Sequence, residues 1–175
     1  MFNNKTVLVT GGTGSFGKNF VKKLLDDFKC KKIIVFSRDE LKQFELKETL
    51  SSHKRFKTLR FFLGDIRDKS RINTALTNVD YVCHCAALKQ IEAAEYNSQE
   101  CVKTNILGTQ NVIEASIDNN VKKVITLSTD KAVDPINLYG ATKLAADKLT
   151  ISSNLISVHK DTIFSVVRYG NVIKF

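Results

Sequence analysis

Thr6-Val7-Leu8-Val9-Thr10-Gly11-Gly12-Thr13-Gly14-Ser15-Phe16-Gly17 is the stretch on which the fold of this chain turns. Its first five residues are apolar or β-branched and read as a strand. From about position 15 to position 28, Phe16, Phe20, Val21, Leu24 and Leu25 recur at helical spacing, so a helix follows. A glycine turn between a strand and a helix brings backbone N–H groups against a pyrophosphate and packs the helix close to the sheet. Gly11, Gly14 and Gly17 give the spacing G-x-x-G-x-x-G, a variant of the dinucleotide fingerprint. Residues 12–18 also spell the opening of a P-loop, but Asn19 stands where that loop needs a hydroxyl for Mg²⁺. The dinucleotide reading is preferred.

Outward from this turn, short β-branched runs alternate with longer helical ones. Strands are expected at 32–36, 58–63, 80–85, 121–127 and 162–167, and helices at 39–50, 69–76, 99–118 and 139–155. Alternation of this kind means right-handed βαβ units and a parallel sheet covered on both faces. The expected fold class is α/β, a doubly wound parallel sheet of about six strands forming one domain over residues 1–175. Its ligand site belongs beyond the C-terminal ends of the strands, where strand order reverses.

Composition agrees. The 175 residues are 43% apolar and 26% charged, with eight Gly and one Pro, which excludes collagen-like, low-complexity and disordered classes. No apolar run approaches the ~18 residues of a membrane span, and the first residues hold no apolar signal segment, so the expected location is the cytoplasm. Lys and Arg number 27 against 18 Asp and Glu, a net charge of +9 concentrated in the first third of the chain. That suits a polyphosphate ligand. No aromatics interleave the lysines as a nucleic-acid tract would have them, and most of these lysines read as solvated helix faces. The four cysteines, Cys30, Cys83, Cys85 and Cys101, form no CxxC pair; they are expected as reduced thiols, with no metal site.

Ser37-Arg38 follows the second strand, where an NAD site usually carries a carboxylate. A hydroxyl and a guanidinium suit the 2′-phosphate of NADP, although Asp39 and Glu40 come next and could serve the ribose or begin a helix. Asp65-Ile66, after the third strand, is placed to hold an adenine edge. Ser128-Thr129-Asp130-Lys131 follows the fifth. Tyr139 and Lys143, spaced i, i+4, share one helix face, where a lysine near a phenol lowers its pKa and suits it to take a hydroxyl proton.

These segments, together with Ala86-Ala87-Leu88-Lys89-Gln90, Asn137-Leu138-Tyr139-Gly140-Ala141-Thr142-Lys143 and Arg168-Tyr169-Gly170-Asn171-Val172, resemble the extended short-chain dehydrogenase/reductases that act on nucleotide sugars. Within them the chain is most similar to the inverting UDP-N-acetylglucosamine 4,6-dehydratases, and Thr129-Asp130-Lys131 is the most specific part of the match. The resemblance implies NADP as cofactor and a UDP-sugar as partner, with no nucleic acid or membrane. Gly11, Thr13, Gly14, Ser15, Phe16, Gly17, Ser37, Arg38, Lys42, Asp65, Ile66, Ala87, Lys89, Tyr139 and Lys143 would line the NADP site, and Lys89 and Asn171 would touch substrate. Tyr139 would take the 4-hydroxyl proton as hydride leaves C4, Lys131 the C5 proton, and Asp130 would protonate the departing 6-hydroxyl. Hydride returning to C6 gives loss of water and inversion at C5. His53, His84 and His159 match no catalytic position. The family pattern continues past Val172 with a Gly-Ser loop and a substrate-binding region, whereas this chain reads Ile173-Lys174-Phe175. A truncated NADP-binding fragment of low activity, or an epimerase on the same fold, are the alternative readings. Uncovered sheet surface would favour self-association.

Overall fold

The computed structural model describes residues 1–157 and 161–170, apart from the side chain of Ile156. Six strands form one parallel sheet: β1 (Thr6–Thr10), β2 (Lys32–Ser37), β3 (Leu59–Leu63), β4 (Tyr81–His84), β5 (Lys123–Thr129) and β6 (Ile163–Tyr169). Their spatial order is β3-β2-β1-β4-β5-β6. The order reverses between β1 and β4, so the two flanking crossovers run to opposite faces and leave a crevice at that point. Register is direct. Val7 lies opposite Ile33 on β2 and Tyr81 on β4, and Thr10 lies opposite Phe36 and His84.

The helices are α1 (Ser15–Asp27), α2 (Glu40–Leu50), α3 (Lys69–Ala75), α4 (Ile91–Tyr96), α5 (Ser98–Val102), α6 (Gly108–Asp118) and α7 (Leu138–Ile156). Asp39, Asp68 and Asn137 cap α2, α3 and α7, their side-chain oxygens accepting from the N–H of Lys42, Arg71 and Gly140. The turns entering β1, β4, β5 and β6 carry Asn4, Asn78, Asn120 and Asp161 with φ between 52° and 60°. These residue types tolerate the left-handed region better than other non-glycine residues. Alternation along the buried strands divides the core. Val7, Val9, Ile33 and Val35 pack with Val21, Leu24 and Leu25 of α1 on one face. Leu8, Ile34 and Val82 pack with Ile72, Val112 and Ile113 on the other.

The expected helix over 99–118 is present but not α-helical throughout. α5 and α6 continue into each other through a π-helical segment, Lys103–Leu107, and a separate short helix, α4, precedes them. The π-helical segment places Asn105 inside the fold, only 1% exposed. There its amide accepts from the N–H of Leu88 at 2.8 Å and donates to the Leu88 carbonyl at 2.9 Å. This two-way clamp fixes the loop after β4. β5 runs two residues further than its apolar run suggests, to Thr129, because β6 pairs with it as far as Thr129↔Tyr169.

Candidate active site

The crevice at the β1/β4 reversal opens into a cleft of about 570 Å³. Every cofactor residue expected from the sequence lines it, from Gly11 through Lys143. Asp130 and Lys131 do not line it; they follow β5 in a short 3-10 turn ahead of α7, near Tyr139, which does. Asn171 and His159 fall outside the described residues.

The glycine turn forms the floor. Gly11 has φ +62°, and a Cβ there would stand 2.9 Å from the Ala86 backbone, so two crossing main chains require glycine. Gly14 caps α1 in extended conformation with no side-chain cap, and no acidic residue occupies the first turn. Its first N–H groups therefore face the cleft with their partial positive charge uncompensated by side chains.

At the β2 end of the cleft, Gln43 donates to the Ser37 hydroxyl at 3.1 Å and to the Ser37 and Phe62 carbonyls at 3.0 Å, locking the β2 and β3 ends together. The Arg38 side chain is about half exposed, its Nη1 3.7 Å from Asp65 Oδ2. Asp39 is absorbed by α2: its carboxylate caps the helix and pairs with Lys42 at 2.9 Å. Burial pushes the Asp65 carboxyl up, but hydrogen bonds from Arg67 prevail and hold it below the usual range.

At the other end, the Lys143 ammonium is buried and donates to the Leu127 carbonyl at 2.7 Å. Burial lowers its pKa to about 8 against the upward pull of Asp147 and Cys85. The lowering of Tyr139 expected from the i, i+4 spacing is absent. Burial holds the Tyr139 hydroxyl above the ordinary phenol value, and the groups that pull it down are Thr129, by hydrogen bonding, and Lys131. Lys143 is instead committed to a carbonyl. The Thr129 hydroxyl donates to Asp130 Oδ1 at 2.9 Å, and Lys131 Nζ pairs with the same oxygen at 3.2 Å. The Thr129 hydrogen bond, then that of Lys131, hold the Asp130 carboxyl below its usual range, so Asp130 rests ionised. Gly140 permits this arrangement, since a Cβ there would run into the Lys131 carbonyl oxygen.

Sequence reasoning assigned no role to Thr129, Thr104, Ser128 or Tyr169. Thr129 carried a signal, its place beside Asp130-Lys131. Thr104 reaches the cleft through the π-helical segment, which apolar periodicity does not reveal. The hydroxyls of Ser128 and Thr104 are more than nine-tenths buried in the cleft wall with no hydrogen-bond partner in the structure. Buried orphan hydroxyls in a cleft wall fit a polar ligand that supplies the missing partners. Together with the open α1 terminus and the glycine floor, they fit a dinucleotide.

His84, which matches no catalytic position, is an interior histidine. The Thr109 hydroxyl donates to the Asn105 carbonyl at 2.7 Å, so it accepts from His84 Nε2–H at 3.0 Å. Nδ1 then accepts from the Thr10 hydroxyl at 2.7 Å. Burial, then Lys143, lower its pKa to about 3, so it is neutral.

A six-stranded 3-2-1-4-5-6 parallel sheet with a glycine turn at the reversal and Tyr-x-x-x-Lys on the helix after β5 is a Rossmann-type fold in the short-chain dehydrogenase/reductase arrangement. The chain belongs to the polysaccharide biosynthesis protein family, whose model matches residues 7–174. It is 57% identical, over 99% of its length, to a UDP-N-acetylglucosamine 4,6-dehydratase (inverting) of Campylobacter jejuni subsp. jejuni serotype O:23/36, covering 51% of that protein. It is 47% identical, over 98% of its length, to a UDP-glucose 4-epimerase of Rickettsia bellii strain OSU 85-389, covering 50%. The X-ray structure of Pen from Bacillus thuringiensis matches 99% of this chain and 52% of its own at 44% identity and TM-score 0.94. DesIV, a dTDP-glucose 4,6-dehydratase from Streptomyces venezuelae solved with NAD and TYD bound, matches 93% and 55% at 25% identity and TM-score 0.79. The chain spans about half the length of the curated relatives it matches.

Proposed function

We propose that residues 1–175 are the NADP-binding half of a nucleotide-sugar 4,6-dehydratase and carry its acid–base residues, the substrate being UDP-N-acetylglucosamine and C5 being inverted. The observation that carries this reading is the cluster of Thr129, Asp130 and Lys131 beside Tyr139, which lines the cleft together with Lys143. The 57% identity to an inverting dehydratase supports the substrate and the stereochemistry.

The glycine turn and the α1 terminus would hold the pyrophosphate, and Ser128 and Thr104 would satisfy their orphan hydroxyls on the bound dinucleotide. NADP is favoured over NAD because Asp39 is spent on the α2 cap and Lys42, leaving Arg38 free to fork onto a 2′-phosphate. When bound, the cofactor supplies a hydride acceptor and donor. Tyr139 takes the 4-hydroxyl proton, with Thr129 as the hydrogen-bonding group that pulls its pKa down.

In the resting pair Asp130 is the ionised, proton-accepting member, its carboxylate 3.2 Å from Lys131. Removal of the C5 proton by Lys131 and delivery of a proton to the 6-hydroxyl by Asp130 require the reverse. A substrate that covers this exposed pair desolvates it, and desolvation disfavours two separated charges relative to a neutral amine and carboxylic acid. Covering the pair thus arms both groups by one internal proton transfer. Epimerisation at C4 alone needs no such pair.

The test incubates the chain with NADP⁺ and UDP-N-acetylglucosamine and follows loss of one water from the sugar nucleotide by mass spectrometry. Lys131→Ala removes the product if the reading holds. NADP⁺ binding without product would instead make the chain a nucleotide-binding half that needs the remainder of a longer protein to turn over.

A further inference from the structure

Two thiols lie outside this chemistry. Cys83, in β4, and Cys85, one residue past its end, leave the same face of the extended chain. Their Sγ atoms stand 3.5 Å apart, and both are free thiols. Cys85 lines the cleft, while Cys83, 7% exposed, lines a separate small cavity with Phe2, Phe20 and Tyr81. Cys30 and Cys101 are buried and have no second sulfur beside them.

The separation selects among partners. A disulfide requires sulfurs about 2.05 Å apart and Cα atoms no more than about 6.8 Å apart, and residues two apart in a strand already lie near that upper limit. Closing it would draw the sulfurs together by about 1.5 Å against the sheet. A linear two-coordinate metal would need them about 4.6 Å apart, twice a thiolate bond of about 2.3 Å. One atom bonded to both at that length, with the sulfurs where they stand, subtends an angle of about 100°, which suits a pyramidal or tetrahedral centre. Among the described residues no cluster of three or more His, Cys, Asp or Glu stands ready to hold a metal ion, so the centre must bring its remaining substituent with it.

We propose that Cys83 and Cys85 form a dithiol site that chelates a three-coordinate thiophilic centre of the trivalent organoarsenical class. In the reaction, R–As(OH)₂ forms two As–S bonds and loses two As–O bonds. Each hydroxide leaves with one thiol proton as water, and arsenic stays trivalent. No prior ionisation is required, which matters because hydrogen bonding with Cys83 and burial push the Cys85 thiol well above its usual range.

The probe is phenylarsine oxide, added to the full chain, followed by millimolar 2-mercaptoethanol and then tryptic mapping under nonreducing conditions. Cleavage at Arg71 and Lys89 isolates residues 72–89, which hold Cys83 and Cys85 and no other cysteine. The expected result is one phenylarsenic group per chain on residues 72–89, resistant to the monothiol and released by 2,3-dimercaptopropanol. Cys85→Ser loses the label and Cys101→Ser keeps it. No retained label, label on the peptides of Cys30 or Cys101, or label lost to the monothiol overturns the proposal, and the wild-type map decides it whether or not the variants fold.

Discussion

Lys143 Nζ hydrogen-bonds the carbonyl oxygen of Leu127 at 2.7 Å from one helical turn beyond Tyr139, so the lysine of the Tyr-x-x-x-Lys pair is anchored to β5 rather than to the phenol. Its pKa of about 8, against 10.5 unfolded, means that the unfolded chain binds more protons between those values. Stability from this group therefore rises with pH across that window. Between pH 7.5 and 9.5 the gain is about 2 kcal/mol. Urea unfolding at the two pH values should show Lys143→Met lacking that increment relative to the wild type.

His84 works in the acid range. Its folded pKa of about 3 lies below the ordinary 6.5, so the unfolded chain takes up a proton that the folded chain refuses. Stability present above pH 6.5 is lost as pH falls toward 3, by about 2 kcal/mol between pH 7 and pH 5. His84→Gln keeps polar atoms near Thr10 and Thr109 and removes the titration. Its unfolding free energy should fall less steeply over that interval, and an equal slope would contradict the assignment.

Gly11 is held at positive φ against the Ala86 backbone. Gly11→Ala strains the residue and pushes two chains apart, at a cost of about 1–3 kcal/mol. Thermal unfolding reads the loss. A titration with NADP⁺ should show affinity falling further than Ser15→Ala lowers it, since Ser15 offers its backbone to the cleft.

Arg38 makes only a loose 3.7 Å contact with Asp65 and is free to turn. Arg38→Ala should weaken NADP⁺ binding by about tenfold to a hundredfold, the 1.5–3 kcal/mol of a charged hydrogen bond, and leave NAD⁺ nearly unchanged. Calorimetric titration with both nucleotides checks the ratio.

Ile163 and Val167 on β6, with Ile151 and Leu155 on α7, are each at least 45% exposed. Among the described residues β6 pairs only with β5. An open strand edge beside exposed apolar side chains favours association. Light scattering should show mass rising with concentration, and Val167→Lys should suppress the rise.

Much of this was legible because the chemistry is local. The glycine turn lies within seven consecutive residues after β1, and Asp39 begins α2 by its own side chain. Alternation and the handedness of βαβ units pointed to a doubly wound parallel sheet with a reversal in it, while the order β3-β2-β1-β4-β5-β6 is a finding of the structure. The Asn105 clamp was not legible, because a π-helical segment leaves no mark in apolar spacing and its partner Leu88 is 17 residues away. Nor was the direction of Lys143. The i, i+4 spacing placed it beside Tyr139, but a buried ammonium goes to the acceptor within reach, and that is the Leu127 carbonyl at 2.7 Å, 16 residues away in the chain.

The most direct test of the central claim runs the reaction in deuterium oxide with NADP⁺ and UDP-N-acetylglucosamine. Removal of the C5 proton by Lys131 and its replacement from solvent predict a product that has lost one water and carries one deuterium at C5, with Lys131→Ala yielding neither change. A dehydrated product without deuterium at C5, or one formed equally by Lys131→Ala, would contradict the assignment of Lys131 and with it the acid–base account of the site.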